Sequence, residues 1–182
     1  MIWRIFIIAM VLGITAMFFF GLGRDPRYIP SPLVGKEAPS FETVTLAGEP
    51  WSSDEIKGKV ALVTFWATWC TTCTADEPQF MALQRRFGDR DDFAIVGVVT
   101  QDTADKAQRY LDRGGRRPYL NLFDESGHLA IDFGVYGVPE SYLIDQEGNI
   151  VRKMAGPIPL RVLLEEIEEL LSADVVVPGE TG

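Results

Sequence analysis

The only two cysteines in the chain, Cys70 and Cys73, are separated by two residues. They follow an apolar run at 60–66 and precede a stretch with the apolar spacing of a helix. Thiol-disulfide exchange needs one accessible thiolate and a second thiol within reach, and a two-residue spacer at a helix start supplies both. The spacing therefore predicts a redox-active dithiol.

A zinc site and a static structural disulfide are the alternatives for this pair. Structural zinc takes four ligands, and beyond the cysteines the chain offers one histidine, His128, and carboxylates. A static disulfide is disfavoured because a chain of 182 residues can bury an adequate core and because a short loop removes little unfolded-state entropy. We therefore favour a redox-active Cys70–Cys73 disulfide, with no other cofactor and no metal.

The two thiols are expected to have different roles. At the start of a helix the sulfur of Cys70 faces unpaired backbone N–H groups and the positive end of the helix dipole, which favour its thiolate. Cys70 is the predicted nucleophile. Cys73 lies inside the helix and is the predicted resolving thiol, which attacks the mixed disulfide.

The elements that position this pair follow from the hydropathy pattern. Strands are predicted at 41–46, 60–66, 93–99, 119–123, 141–145 and 150–154. Helices are predicted at 74–87, 103–113, 127–133 and 160–171. This order, with the cysteines at the first strand-to-helix junction, predicts an α/β thioredoxin-like fold with a central βα insertion and an N-terminal strand or hairpin.

Val138 and Pro139 come just before the predicted strand 141–145. In a thioredoxin-like fold a cis-proline at this point lies against the cysteine pair and leaves the preceding backbone free to pair with a substrate strand. We assign Val138 and Pro139 to substrate binding, and an ordinary trans proline in a loop is the alternative. Trp69, next to Cys70, is expected to shape the same docking groove.

The N-terminal part of the chain has a different character. Residues 5–23 carry no charge and are long enough to cross a hydrocarbon layer of roughly 30 Å, which predicts a transmembrane anchor with residues 1–4 in the cytoplasm. A cleaved signal peptide is the alternative, although the apolar run is long for one and no A-x-A-like site follows it. A proline-rich tether at 24–40, a thioredoxin-like domain at 41–173 and a flexible tail at 174–182 are then expected.

The charge balance argues against nucleic acid as a partner. The formal net charge is -9, from 17 Lys and Arg against 26 Asp and Glu, whereas a phosphate backbone demands a basic face. Arg113, Arg116 and Arg117 form the one dense basic cluster, which we interpret as a solvated loop. His128 lies in a predicted turn and is given no catalytic role.

Two segments carry a family resemblance, FWATWCTTCTADEP at 65–78 and DFGVYGVPESYLIDQEGNI at 132–150. They resemble the CcmG/DsbE family of membrane-anchored, thioredoxin-like proteins of cytochrome c maturation, over about 31–171. The resemblance implies a thiol:disulfide oxidoreductase in the periplasm, anchored in the bacterial inner membrane, that reduces the CxxCH cysteines of apocytochrome c before haem attachment. It also implies re-reduction by a DsbD- or CcdA-like membrane electron donor and contact with other cytochrome c maturation proteins.

The resemblance also suggests roles for residues beside the cysteines. Asp76 stands where related proteins carry a glutamate, so it is expected to tune the thiols or relay a proton. The alternative is that it only stabilises the helix dipole, as an acid in the first turn does. Glu77 could tune the site as well as Asp76. Thr71 replaces the family's usual proline, and with Thr72 it is expected to tune the site. Thr64 replaces the buried acid of ordinary thioredoxins, which removes one general base.

Two other functions remain open at this point. One is a TlpA- or ResA-like reductase that serves other periplasmic clients. The other is a holdase that binds apocytochrome or haem without redox chemistry. A peroxidase is disfavoured because the chain lacks the PxxxTxxC pattern of such enzymes.

Overall fold

The structure is a computed structural model that describes residues 2–22, 31–115 and 117–173. Its first element is helix α1, Ile2–Leu22, whose side chains are described for residues 2–17 and for Phe19. Among the described residues, none of the helices has the length and apolarity needed to cross a membrane. The predicted tail at 174–182 and the predicted tether up to residue 30 lie outside the described residues.

A seven-stranded mixed sheet forms the centre of the domain, in the order β2-β1-β5-β4-β3-β6-β7. Its strands are β1 Glu42–Thr45, β2 Pro50–Ser52, β3 Val60–Trp66, β4 Phe93–Val99, β5 Leu120–Phe123, β6 Glu140–Ile144 and β7 Ile150–Ala155. Strands β3, β4 and β5 run parallel, whereas the remaining neighbours pair in antiparallel fashion. The thioredoxin-like fold, the inserted parallel βα unit and the N-terminal hairpin are thus present.

Five further α-helices accompany the sheet, with a short 3₁₀ helix at Ser53–Ile56. They are α2 Thr71–Ala75, α3 Glu77–Phe87, α4 Ala104–Asp112, α5 His128–Asp132 and α6 Leu160–Ala173. Helices α3 and α6 contribute Leu83 and Ile167 to the core on one face of the sheet. The other face is aromatic, with Phe65, Phe133 and Tyr142 in mutual contact. Every residue of β3 is buried because it lies between two strands and two covered faces.

The predicted helix at 74–87 is in fact two helices that meet at Asp76. The first begins earlier than predicted, at Thr71, because Cys70 caps it. Pro78 explains the break, since it has no N–H to donate to the carbonyl of Thr74 and its ring disfavours a continuous helix. The hydropathy pattern alone could not show this break in the helix directly behind the cysteines.

The folded domain begins before the predicted boundary at residue 41. The backbone N–H groups of Gly35 and Ala38 donate to Ile150 and Gly148, both at 2.8 Å. Leu33 and Ala38 also pack against the aromatic core. The described part of the predicted tether is therefore attached to the β6–β7 hairpin, because its small and apolar residues complete that core.

Candidate active site

Cys70 lies in the turn after the central strand β3, at the N-terminal cap of α2. Its sulfur is bonded to Sγ of Cys73 and accepts the backbone N–H of Cys73 at 3.0 Å. Cys73 is 1% exposed and Cys70 is 5% exposed, so the second sulfur lies deeper. The expected placement of the two cysteines at the helix start is confirmed.

The turn that carries Cys70 is held by a carboxylate that the sequence prediction missed. Asp102 accepts hydrogen bonds from the backbone N–H of Thr68 at 2.8 Å and from its hydroxyl at 2.6 Å. Burial acts to raise the pKa of Asp102, but these bonds and that from Thr103 outweigh it and hold the pKa below its usual value. Trp69 is 57% exposed beside Cys70, and its indole N–H donates to the carbonyl of Gln101 at 3.0 Å.

The Val138–Pro139 peptide bond is cis, as the sequence predicted. The carbonyl oxygen of Val138 lies 3.6 Å from Sγ of Cys70, so this loop lies directly against the redox pair. Val138 is half-buried and Pro139 is buried. The structure thus brings together Cys70, Val138 and Pro139, while the binding of substrate by this loop stays a prediction.

A buried ion pair supports the same loop from the sheet side. Nζ of Lys153 lies 3.0 Å from Oε2 of Glu140, and the two side chains are 4% and 2% exposed. Lys153 also donates to the carbonyl of Gly134 at 2.6 Å, and Glu140 accepts the backbone N–H of Tyr136 at 3.1 Å. The two side chains therefore hold the segment that leads to the cis-proline at Gly134 and at Tyr136. Neither residue was singled out by sequence, since its partner is visible only in the folded sheet.

The two acids proposed to tune the site are both buried but have different partners. Desolvation raises the pKa of Asp76, and the positive charge of Arg117 opposes that shift. Asp76 accepts a hydrogen bond from Nε2 of Gln79 at 3.2 Å. Glu77 instead accepts a hydrogen bond from the hydroxyl of Tyr110. Burial, followed by this bond to Glu77, raises the pKa of Tyr110.

The three threonines named from the sequence lie in two environments. Thr71 and Thr72 are exposed between the cysteines. Thr64 is 1% exposed on β3 and accepts a hydrogen bond from the hydroxyl of Ser141 at 2.9 Å. The position that holds an acid in ordinary thioredoxins is therefore filled here by a satisfied pair of hydroxyl groups.

The expectation of a solvated arginine loop is wrong for Arg117, whose side chain is 2% exposed. Its Nη2 donates to the carbonyl of Cys73 at 2.7 Å, and its guanidinium carbon lies 4.4 Å from the centroid of the Trp66 ring. Arg113 is exposed as expected, and Arg116 lies outside the described residues. Arg117 is buried because its planar cation finds an aromatic face and a carbonyl behind the cysteines.

An open groove of about 390 Å³ runs beside the exposed indole of Trp69. It is lined by Trp69, Gln101, Asp102, Thr103, Lys106, Asp124, Glu125, Ser126 and Gly127. Tyr136, 73% exposed, is a second large exposed ring, and it precedes the cis-proline by three residues. Two exposed aromatic rings and an open groove therefore lie near the dithiol in the described structure.

Comparison with known proteins agrees with this geometry. The model of the AhpC/TSA family matches residues 34–153. The thiol:disulfide interchange protein DsbE of Allochromatium vinosum is 38% identical over 163 residues, which cover 88% of each chain. DsbE of Escherichia coli K12 is 40% identical over 151 residues, covering 81% of this chain and 79% of that protein. The chain belongs to the CcmG/DsbE family.

A solved structure supports the assignment to the CcmG/DsbE family. The thiol:disulfide interchange protein from Chlorobium tepidum TLS, described as a thioredoxin family protein, superposes with a TM-score of 0.66 at 28% identity. The match covers 79% of this chain and 99% of that one. With the fold and the Cys70–Cys73 disulfide in place, this CcmG/DsbE family member is a thiol:disulfide oxidoreductase.

Proposed function

We propose that the chain reduces the CxxCH cysteines of apocytochrome c in the periplasm before haem is attached. The observation that carries this proposal is the position of Cys70, whose sulfur lies 3.6 Å from the Val138 carbonyl and next to the exposed Trp69. A substrate strand that pairs with the backbone at Val138 would present its disulfide to that sulfur. The client and the reducing direction are supported by the family resemblance.

The reaction begins from the reduced pair. The Cys70 thiolate attacks one sulfur of the substrate disulfide, the substrate S–S bond breaks, and the departing substrate thiolate takes up a proton. Cys73 then loses its proton and attacks Sγ of Cys70, which releases the second substrate thiol. Two electrons have moved to the substrate, and the Cys70–Cys73 disulfide of the structure is the product. A DsbD- or CcdA-like membrane protein is the proposed donor that reduces this disulfide.

The proton that Cys73 must lose needs an acceptor, and Asp76 is our candidate. It lies three residues beyond Cys73, and its pKa is raised by burial. A carboxyl whose pKa is raised towards the working pH is a better proton acceptor than an ordinary one. Glu77 is less available because it is engaged by Tyr110.

We further propose that residues 5–23 anchor the chain in the bacterial inner membrane, with the domain on the periplasmic side. The support for this location is the uncharged apolar run in the sequence. Such an anchor would restrict the domain to clients near the membrane surface, where it could also meet other cytochrome c maturation proteins.

Trapping of the mixed disulfide tests the proposed client. Cys73→Ser lacks the resolving thiol, so in cells that make c-type cytochromes it should accumulate a covalent adduct with an apocytochrome c, released by dithiothreitol and identified by mass spectrometry. Cys70→Ser is the matched control and should trap none.

Two results, one from this trapping experiment and one from complementation with a double variant, would contradict the proposal. Adducts confined to proteins without a CxxCH segment would favour a TlpA- or ResA-like reductase. Normal cytochrome maturation in cells that carry only the Cys70→Ser, Cys73→Ser double variant would favour a binding protein whose dithiol has no redox role.

A further inference from the structure

Arg117 places a positive charge directly behind the redox pair. Its Nη2 donates to the carbonyl of Cys73 at 2.7 Å, and its side chain is 2% exposed. A cation at this depth is costly to desolvate, so it persists only when its surroundings compensate for the loss of water. Its partners are therefore informative about what the charge does.

Those partners leave the guanidinium only partly satisfied among the described residues. Nη1 donates to the hydroxyl of Tyr119 at 2.7 Å, and the faces of Trp66 and Phe80 lie 4.4 and 5.7 Å from the guanidinium carbon. Its Nε is buried without a hydrogen-bond partner, and the nearest carboxylate oxygen, on Glu77, is 3.8 Å away. A close, bidentate ion pair would have cancelled the charge, whereas this arrangement leaves a field at the cysteines.

The titratable groups that face the site come from several elements. Asp76 and Glu77 lie at the start of α3, Tyr110 lies on α4, and Tyr119 precedes β5. Burial raises the pKa of Tyr119 to about 12 although Arg117 opposes the shift. Both tyrosines therefore stay neutral at physiological pH, so the local balance is one cation against two acids.

We propose that Arg117 is a positioning residue that holds the Cys73 backbone and stabilises the thiolate of the reduced Cys70–Cys73 pair through its buried charge. This inference rests on the proposed function, because thiolate stability sets how readily the pair attacks and gives up electrons. Electrostatics fixes the sign of the change in thiolate stability when Arg117 is replaced. Removing the cation removes attraction and also leaves the neighbouring carboxylates unopposed, and both changes disfavour a thiolate.

A pH titration of the reduced full chain in mild detergent tests this role directly. Thiolate absorbance in the ultraviolet reports the apparent pKa of the dithiol and needs no client. We expect Arg117→Met to raise that pKa by about one unit, the lower end of the shift that a nearby opposite charge produces. Arg117→Lys keeps the charge and should recover part of the shift. Arg113→Met removes an exposed arginine and should leave the curve unchanged.

A purely structural role makes different predictions. Arg117→Met would then lower the urea midpoint while its titration curve overlaid that of the wild type, which would overturn the proposal. If Arg117→Met does not fold, Glu77→Gln decides the matter. It removes one of the two acids that oppose the guanidinium and should therefore lower the dithiol pKa, and an unchanged or raised value would refute the inference.

The two proposals can fail separately. Failure of Cys73→Ser to trap an apocytochrome would remove the proposed client and leave the titration shift untouched. A normal trap combined with an unshifted titration would remove the role of Arg117 alone.

Discussion

Breaking the buried pair between Lys153 and Glu140 from one side should cost far more stability than breaking a surface pair of equal length. Lys153→Met keeps the aliphatic stem but leaves the Glu140 carboxylate buried without its cation. Breaking a buried ion pair from one side costs about 3–5 kcal/mol because the remaining charge is uncompensated. Here the loss extends to Gly134, whose carbonyl also loses its donor. The total is a large fraction of the 5–15 kcal/mol that stabilises a typical domain.

The assay is equilibrium urea unfolding of the oxidised full chain in mild detergent, followed by tryptophan fluorescence. With a slope of about 2 kcal/mol per molar urea, Lys153→Met should lower the midpoint by about 2 M. The matched control is Arg86→Met. Its pair with Glu168 has the same 3.0 Å separation, but the side chains are 63% and 49% exposed. That variant should lose at most about 1 kcal/mol.

A second variant separates the effect of the uncompensated charge from that of the other contacts that Lys153→Met loses. Glu140→Gln with Lys153→Met removes both charges, so it should recover most of the stability that Lys153→Met alone loses. Equal losses for Lys153→Met and Arg86→Met would refute the reasoning, because burial would then have no influence. A double variant as unstable as the single one would show that the lost hydrogen bond to Gly134 matters more than the uncompensated charge.

Two further predictions concern residues around the dithiol. Burial raises the folded-state pKa of Asp76, so its stabilising contribution is full only at low pH and is lost as pH rises through that pKa. Asp76→Asn should therefore raise the urea midpoint above that of the wild type at pH 7, and the difference between the two midpoints should close below about pH 4. The same variant should slow release of the mixed disulfide. A difference in midpoint that does not depend on pH would contradict this reasoning. Gly97→Ala would place a Cβ 2.5 Å from Oδ1 of Asn121 and 3.0 Å from Nε1 of Trp66, so it should break the hydrogen bond between those side chains. We expect a loss of about 1–3 kcal/mol in unfolding free energy and altered Trp66 fluorescence, and an unperturbed variant would count against this contact.

The chemistry and the scaffold of this protein could be predicted from residue types and their spacing. The spacing of Cys70 and Cys73 after an apolar strand identifies the dithiol, since both the strand pattern and the helix start are encoded within a few residues. The placement of Pro139 before the penultimate strand likewise predicted the cis bond. The cysteine spacing is a local feature of the sequence, whereas the cis bond is what the thioredoxin-like arrangement implies for a proline at this point.

The charges that surround the dithiol could not be predicted in this way, because they come together only in the folded chain. Arg117 is 44 positions from Cys73 in the chain, and its neighbours in the sequence are those of an exposed loop. Lys153 and Glu140 become partners because β6 and β7 pair with a register that brings their side chains together. Whether a charged side chain is solvated or buried depends on the atoms that cover it, and those atoms come from distant strands and helices. The fold thus places one arginine of this basic cluster, Arg117, behind the reactive sulfurs.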